Sequence, residues 1–272
     1  MDYSGKYCEL CVLIPCYGNL HGLKKSLQSI SYHKGKYLIV IVDDGNEEPI
    51  NEQALQQNND EPLPLHIIRL PQNKGITSAL NTGLQWIIDT IKCTYIARLD
   101  CGDLCDPERF YKQINYLRVN PDVFMLGSWC YFQDMKKKIK YNHKTPEHHR
   151  EIQKAMYFRN VFIHPTVILR YEVLDKAGLY PESYPHAEDY AWFWKIVTQV
   201  KTAIIPLYLV TCEINTHGIS QSNRDLQLRS RMIIVKEFGL NFARKQLGIL
   251  KIKILMKIPY SFILQVKELM SF

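Results

Sequence analysis

Two periodicities alternate along the first part of the chain. Apolar runs at Cys11–Pro15, Leu38–Asp43, His66–Leu70 and Tyr95–Leu99 read as buried strands. Between them Leu20, Leu23, Leu27 and Ile30, and later Ile76, Leu80, Leu84 and Ile87, recur at helical spacing and mark the core faces of amphipathic helices. Strand followed by helix, repeated, predicts a largely parallel α/β sheet covered on both faces.

In such sheets ligands bind beyond the carboxyl ends of the strands. Each predicted strand ends in a polar cluster: Pro15-Cys16-Tyr17-Gly18-Asn19, Asp43-Asp44-Gly45, Asn73-Lys74-Gly75 and Asp100-Cys101-Gly102-Asp103. None contains G-x-G-x-x-G or G-x-x-x-x-G-K-[ST], which excludes the dinucleotide fingerprint and the P-loop as phosphate-binding devices.

Carboxylates on one rim offer hard oxygen ligands to a divalent cation that neutralises a diphosphate, and Asp100 and Asp103 suit that task. Asp106, before Pro107 and Glu108, reads instead as a helix cap. Asp43-Asp44-Gly45 suits an ordinary turn as well as a site. Farther on, Glu188-Asp189 opens an aromatic-rich helical stretch; carboxylates there serve either as helix-dipole partners or as a desolvated general base. His164, before Pro165, fits a structural role as readily as a functional one. Thr216-His217-Gly218-Ile219-Ser220 fits a closing loop or a plain connection.

Composition narrows the class. The chain has 272 residues, 46% hydrophobic and 22% charged, enough for one sizeable core. No biased linker and no fixed-period repeat divides it. A net charge of +7 favours anionic partners, but the basic residues do not gather into a patch with stacking aromatics, which argues against nucleic acid. Residues 1–9 lack the basic-then-apolar pattern of a signal peptide, so a cytoplasmic protein with eight reduced cysteines is expected. Cys8 and Cys11 form a C-x-x-C within a strand, whose period of two is expected to send the two side chains to opposite faces.

Beyond Gly239 the sequence becomes basic and apolar, with Lys245, Lys251, Lys253, Lys257 and Lys267 among Ile, Leu, Met and Phe. A spanning helix needs roughly 20 uninterrupted apolar residues, and the lysines and Pro259 interrupt every such window. Two readings remain: a helix lying in a membrane interface, or helices packed on the core or on a second copy.

In order, PCYGN, VDDG, NKGITSALNTGL, ARLDCGD, HPTVILRYEVLDKAGLY and AEDYAWFWKI resemble the successive motifs of family 2 glycosyltransferases, especially those that build bacterial surface polysaccharides such as O-antigen and capsule. The resemblance spans about Cys8 to Ser220. It implies a GT-A fold, a Rossmann-like and mostly parallel central sheet flanked by helices, with a C-terminal helical appendage. The expected division is a catalytic domain over 1–225, with a nucleotide-sugar half at about 1–105 and an acceptor half at about 106–225, followed by a basic amphipathic region over 226–272.

The resemblance also implies roles. Pro15, Tyr17, Asp43 and Asp44 would line the nucleotide pocket, and Arg98 and Asp100 would continue it toward ribose and diphosphate. The family's DxD element supplies a metal ligand, but here the third position is Gly102; Asp103, one residue on and about 3.8 Å away along the chain, is the substitute. Asp189 of Glu188-Asp189 would be the general base of an inverting transfer, His164 would lie near acceptor or diphosphate, and His217 would close over the donor. The implied partners are Mn2+ or Mg2+, a nucleotide-sugar donor of UDP-hexose type, and a polyprenyl-diphosphate-linked glycan acceptor reached by peripheral contact with the inner face of the cell membrane. Alternative functions are a nucleotidyltransferase and a noncatalytic sugar-binding or scaffold protein.

Overall fold

The computed structural model describes residues 5–56, 62–134, 139–214 and 223–258. Strands β1 (Tyr7–Cys16), β2 (Tyr37–Asp43), β3 (Leu65–Arg69) and β4 (Lys92–Arg98) alternate with helices α1 (Leu20–Gln28), α2 (Glu52–Gln56) and α3 (Ile76–Thr90). A short strand, β5 (Leu104–Cys105), leads into α4 (Arg109–Val119). Then come β6 (Val123–Asp134), β7 (Ile139–His143), α5 (His149–Met156), a 3-10 turn (His164–Thr166), β8 (Ile168–Arg170), α6 (Val173–Ala177), α7 (Glu188–Gln199) and β9 (Lys201–Glu213). Two helices, Arg224–Phe238 and Phe242–Lys257, complete the described chain.

One sheet runs through the molecule in the order β3-β2-β1-β4-β8-β6-β9-β5, with β7 paired to β6. The first four strands are mutually parallel, as the βαβ pattern predicts. The antiparallel β8 then joins β4 to β6, so both parts of the chain share the sheet. Period two sorts the core: Cys11 and Leu13 of β1 face the layer containing α3 and α7, while Leu10, Val12 and Ile14 face the layer containing α1 and α4.

In β1 the alternation is broken between Cys8 and Cys11. Glu9 and Leu10 both donate their backbone N–H to the Lys36 carbonyl, the signature of a bulge that inserts one residue into the strand. Cys8 and Cys11 therefore fall on the same face, with sulfurs 3.3 Å apart, which corrects the expectation of opposite faces. All eight cysteines are free thiols.

The helix Arg224–Phe238 buries Leu228, Ile234 and Val235 in the layer that contains α7. The helix Phe242–Lys257 packs in turn through Gly248, Ile249 and Ile252; a Cβ on Gly248 would stand 2.3 Å from the Tyr157 carbonyl oxygen. Packing on the core is thus the arrangement of residues 224–257. Phe242, Leu247, Leu250 and Ile254 nonetheless remain exposed. No helix among the described residues is long and apolar enough to cross a membrane.

Candidate active site

Register brings the strand ends to one rim: Cys16 lies beside Asp43, and Asp43 beside Arg69. Asp43 is wholly buried. One carboxylate oxygen accepts the Asn46 N–H at 2.9 Å and the Asn46 side-chain amide at 2.7 Å, and the other accepts the Ile50 N–H at 3.1 Å and Arg69 at 3.0 Å. Burial alone would raise its pKa; these donors and the Arg69 charge reverse that and hold it below the usual carboxylate range. Asp43 thus locks the rim, its acceptor capacity filled by the protein.

Asp44 reaches across to the β3–α3 loop and accepts the N–H groups of Lys74 (2.8 Å) and Gly75 (3.0 Å). Its pKa is raised by burial, with the Asp43 charge adding to it and the two N–H groups opposing. The loops approach so closely that a Cβ on Gly45 would stand 2.2 Å from the Gln72 carbonyl carbon, and Gly45 itself has φ +72°. Pro15 is buried, and its carbonyl accepts the Cys101 thiol at 3.4 Å. Tyr17 stands 57% exposed at the rim, free to cover a planar group.

The turn after β4 is built on a buried cation. Arg98 is 1% exposed and donates to Asp100 at 2.6 Å, to the Leu13 and Leu99 carbonyls, and to Nε2 of His164 at 3.3 Å. It presents Asp100 and does not itself reach the open rim. Ser26 of α1 clamps the turn, accepting the Gly102 N–H at 2.9 Å and donating to the Asp103 carbonyl at 2.8 Å. Asp103 sits beneath: it is 7% exposed, and its carboxylate accepts the Glu213 N–H at 2.9 Å. Burial, reinforced by the Asp100 charge, pushes its pKa well up. The open face of the turn carries Asp100, 37% exposed, while Asp103 straps the turn to the end of β9.

Glu188 and Asp189 occupy the first turn of α7. Asp189 accepts the Asn160 side-chain amide at 2.9 Å and the Tyr190 N–H at 2.6 Å. Burial, then the Glu188 charge, raises its pKa to about 7. Glu188 is raised mainly by burial, with Asp100 contributing. The β4 turn and α7 meet although they are far apart in sequence: Arg98 donates to His164, whose ring stands edge-on to Phe193 of α7 at 5.9 Å. His164 belongs to the same network: its Nε2 lies 2.7 Å from the Tyr180 hydroxyl, and burial together with the neighbouring Arg98 pushes its pKa down to about 3. Since Arg98 can only donate, His164 is a neutral ring accepting at Nε2. His217 lies outside the described residues.

Sequence reading missed Asn46, Arg69, Asn160, Tyr180 and Glu213. Asn46 follows Asp43 by three residues and was within reach of turn chemistry, whereas Arg69 lies 26 residues on and meets Asp43 only through the β2–β3 pairing. The other three carry no local signature.

The rim suits a divalent cation of the oxygen-preferring kind. Asp100 is partly exposed, and Gly102 forms a cradle in which a Cβ would meet Oε2 of Glu213 at 3.2 Å and the Asn19 amide at 3.3 Å. Among the described residues no three His, Cys, Asp or Glu side chains gather tightly enough to hold an ion unaided, so further oxygens would come from a bound diphosphate and water. A cavity of about 1070 Å³ lined by Tyr7, Leu27, Tyr32 and Tyr37 opens at the amino-terminal ends of β1 and β2, the opposite ends of the strands from these carboxylates.

A model of glycosyl transferase family 2 matches residues 11–178. The amylovoran biosynthesis glycosyltransferase AmsE of Erwinia amylovora is 29% identical over 220 residues, covering 78% of this chain and 77% of that protein. The mannosyltransferase PcManGT from Pyrobaculum calidifontis, solved in complex with GDP-Man and Mn2+, superposes with a TM-score of 0.61 at 12% identity, covering 99% of this chain and 81% of that one. S. aureus TarS 1–349, solved in complex with UDP-GlcNAc, gives 0.59 at 16% identity over 89% of this chain and 70% of that one. These structural likenesses establish the expected GT-A fold.

Proposed function

The chain belongs to glycosyl transferase family 2, and from that premise we propose that it is an inverting hexosyltransferase of bacterial surface-polysaccharide synthesis, with Asp189 as its general base. The observation that carries this reading is Asp189 itself, a carboxyl raised to about 7 beside the Asp100 turn. A base poised near the working pH combines a useful ionised fraction with real proton affinity.

In this reading the nucleotide occupies the rim between Pro15, Tyr17, Asp43 and Asp44, with Asp43 holding the loops and Tyr17 covering the base. Arg98 holds Asp100 toward the diphosphate. Asp189, steadied by Asn160, takes the proton of an acceptor hydroxyl; the hydroxyl oxygen attacks the anomeric carbon, and the bond to the diphosphate breaks with its electron pair leaving on the diphosphate. A single displacement from the opposite face inverts the configuration. A divalent cation, Mn2+ or Mg2+, held from the Asp100 side would neutralise the diphosphate charge. Glu188 keeps negative charge beside the base and thereby its proton affinity. His164, neutral, lines the space between the acceptor and the diphosphate.

The nucleoside diphosphate sugars named with TarS and PcManGT, and the polysaccharide named with AmsE, support this class of donor and product. A UDP-hexose donor, a catalytic unit over 1–225 and a polyprenyl-diphosphate-linked acceptor are parts of the proposal. The outer face of Phe242–Lys257, with exposed Phe242, Leu247, Leu250 and Ile254 among lysines, supports a peripheral membrane contact near such an acceptor.

Thermal shift of the purified chain with UDP, GDP, CDP and dTDP, each with Mn2+ and with EDTA, tests the donor reading. A metal-dependent stabilisation by one nucleotide is expected. No stabilisation by any of the four would overturn it.

A further inference from the structure

The turn that follows β4 lacks a carboxylate at the position where the resembling family carries one, since Gly102 stands there. The backbone at Gly102 has φ +102° and its N–H is tied to Ser26, so the turn keeps its shape without a side chain. The vacant volume is not left to solvent. Oε2 of Glu213, from the last residue of β9, lies 3.2 Å from where a Cβ on Gly102 would be.

That placement is built by the fold. Leu104 pairs with Thr211 across β5 and β9, which brings the end of β9 alongside the turn. Asp103 accepts the Glu213 N–H at 2.9 Å and fixes the backbone from which the side chain departs. Gly102 lies two residues after Asp100 in the same turn, so the Glu213 carboxylate approaches the turn that carries Asp100. Glu213 is exposed, and no lysine or arginine among the described residues forms a salt bridge with it. Asp100 has one oxygen on Arg98 and its other oxygen open.

From this juxtaposition we propose that Glu213 supplies, from across the sheet, the metal-binding carboxylate that Gly102 cannot, pairing with Asp100 to hold a divalent cation against the donor diphosphate. The inference rests on the nucleotide-sugar reading above. Two carboxylates suit Mn2+ or Mg2+, which are bound by one or two protein carboxylates together with phosphate oxygens and water. The position also assigns Asp103 a positioning role: it holds the strand that carries the ligand.

The test is Mn2+ binding, read by the loss of the free-ion electron paramagnetic resonance signal, with UDP, GDP, CDP and dTDP in parallel. Wild type and Glu213→Gln are compared, with unliganded melting temperature as the control for folding and nucleotide binding in EDTA as the control for the pocket. Glu213→Gln is expected to weaken nucleotide-dependent Mn2+ binding by about tenfold or more, since even losses outside the ligand sphere reach that size. Both controls are expected to stay at wild-type values. Glu213→Asp, which keeps the charge on a shorter arm, is expected to bind more tightly than Glu213→Gln. Equal Mn2+ binding by wild type and Glu213→Gln overturns the assignment of Glu213 and leaves the donor reading standing. Nucleotide binding by wild type with no Mn2+ uptake overturns the metal site as a whole, and absence of both overturns the donor reading with it.

Discussion

The side-chain amide of Asn160 donates to Oδ2 of Asp189 at 2.9 Å, linking the segment before the His164 turn to the first turn of α7. This bond stabilises the ionised carboxylate, whose other oxygen accepts the Tyr190 N–H. Asn160→Ala is expected to move the midpoint of the pH–rate profile upward by up to about one unit and to lower kcat about tenfold with little change in KM. A purely structural role would lower stability and leave the midpoint in place. The full pH profile of kcat distinguishes the two.

Ionisation of Asp189 also couples to stability. Its folded pKa, about 7, lies above the unfolded carboxyl value, so the folded state loses stability as pH rises from about 4 through 7. Asp189→Asn removes that penalty. The ceiling for a shift of this size is about 4 kcal/mol, and partial exposure reduces it to about 1–2 kcal/mol. The variant should therefore melt above wild type at pH 8 and level with it near pH 4.

His164 works in the opposite sense. Its folded pKa of about 3 lies below the unfolded histidine value, so its contribution is present above about pH 6.5 and lost as pH falls toward 3. His164→Gln should flatten the acid limb of the stability profile between about pH 6 and 4. Urea denaturation across that range measures it.

Gly45 permits the contact between the Asp44 turn and the loop before α3. A Cβ there meets the Gln72 and Asn73 backbone at 2.2 and 2.5 Å, and φ is +72°, so neither a rotamer change nor a small loop shift relieves it. Gly45→Ala is expected to destabilise the fold by about 2 kcal/mol or more, measured by urea denaturation.

Restoring the family's carboxylate at Gly102 should harm the turn. Gly102→Asp places a Cβ at φ +102° within 3.2 Å of Glu213 and sets two negative charges together. The variant should melt below wild type in EDTA, and added Mn2+ should recover part of the difference.

What the sequence could and could not disclose follows from range. Strands β1 to β4 and helices α1 and α3 were legible because their periodicity is local, with strand ends shifting by one to four residues: His66–Leu70 as read and Leu65–Arg69 as folded, Cys11–Pro15 as read and Tyr7–Cys16 as folded. Asp43-Asp44, the Asp100 turn and Glu188-Asp189 were legible because each is contiguous. The bulge at Glu9 and Leu10 was not, since it depends on a carbonyl of the neighbouring strand at Lys36. Strands of two and three residues, β5 and β8, fall below any periodic window. Asn160, Tyr180 and Glu213 gain their roles only when β6, β8 and β9 are assembled, and nothing in their own surroundings marks them.

The role of Asp189 as general base is tested most directly by release of nucleoside diphosphate from a panel of nucleotide sugars by wild type and Asp189→Asn, with donor binding measured on the same samples. Wild type is expected to turn over one donor class, and the variant to bind that donor unchanged with turnover reduced about a hundredfold or more. Turnover in Asp189→Asn equal to wild type would remove Asp189 from the mechanism.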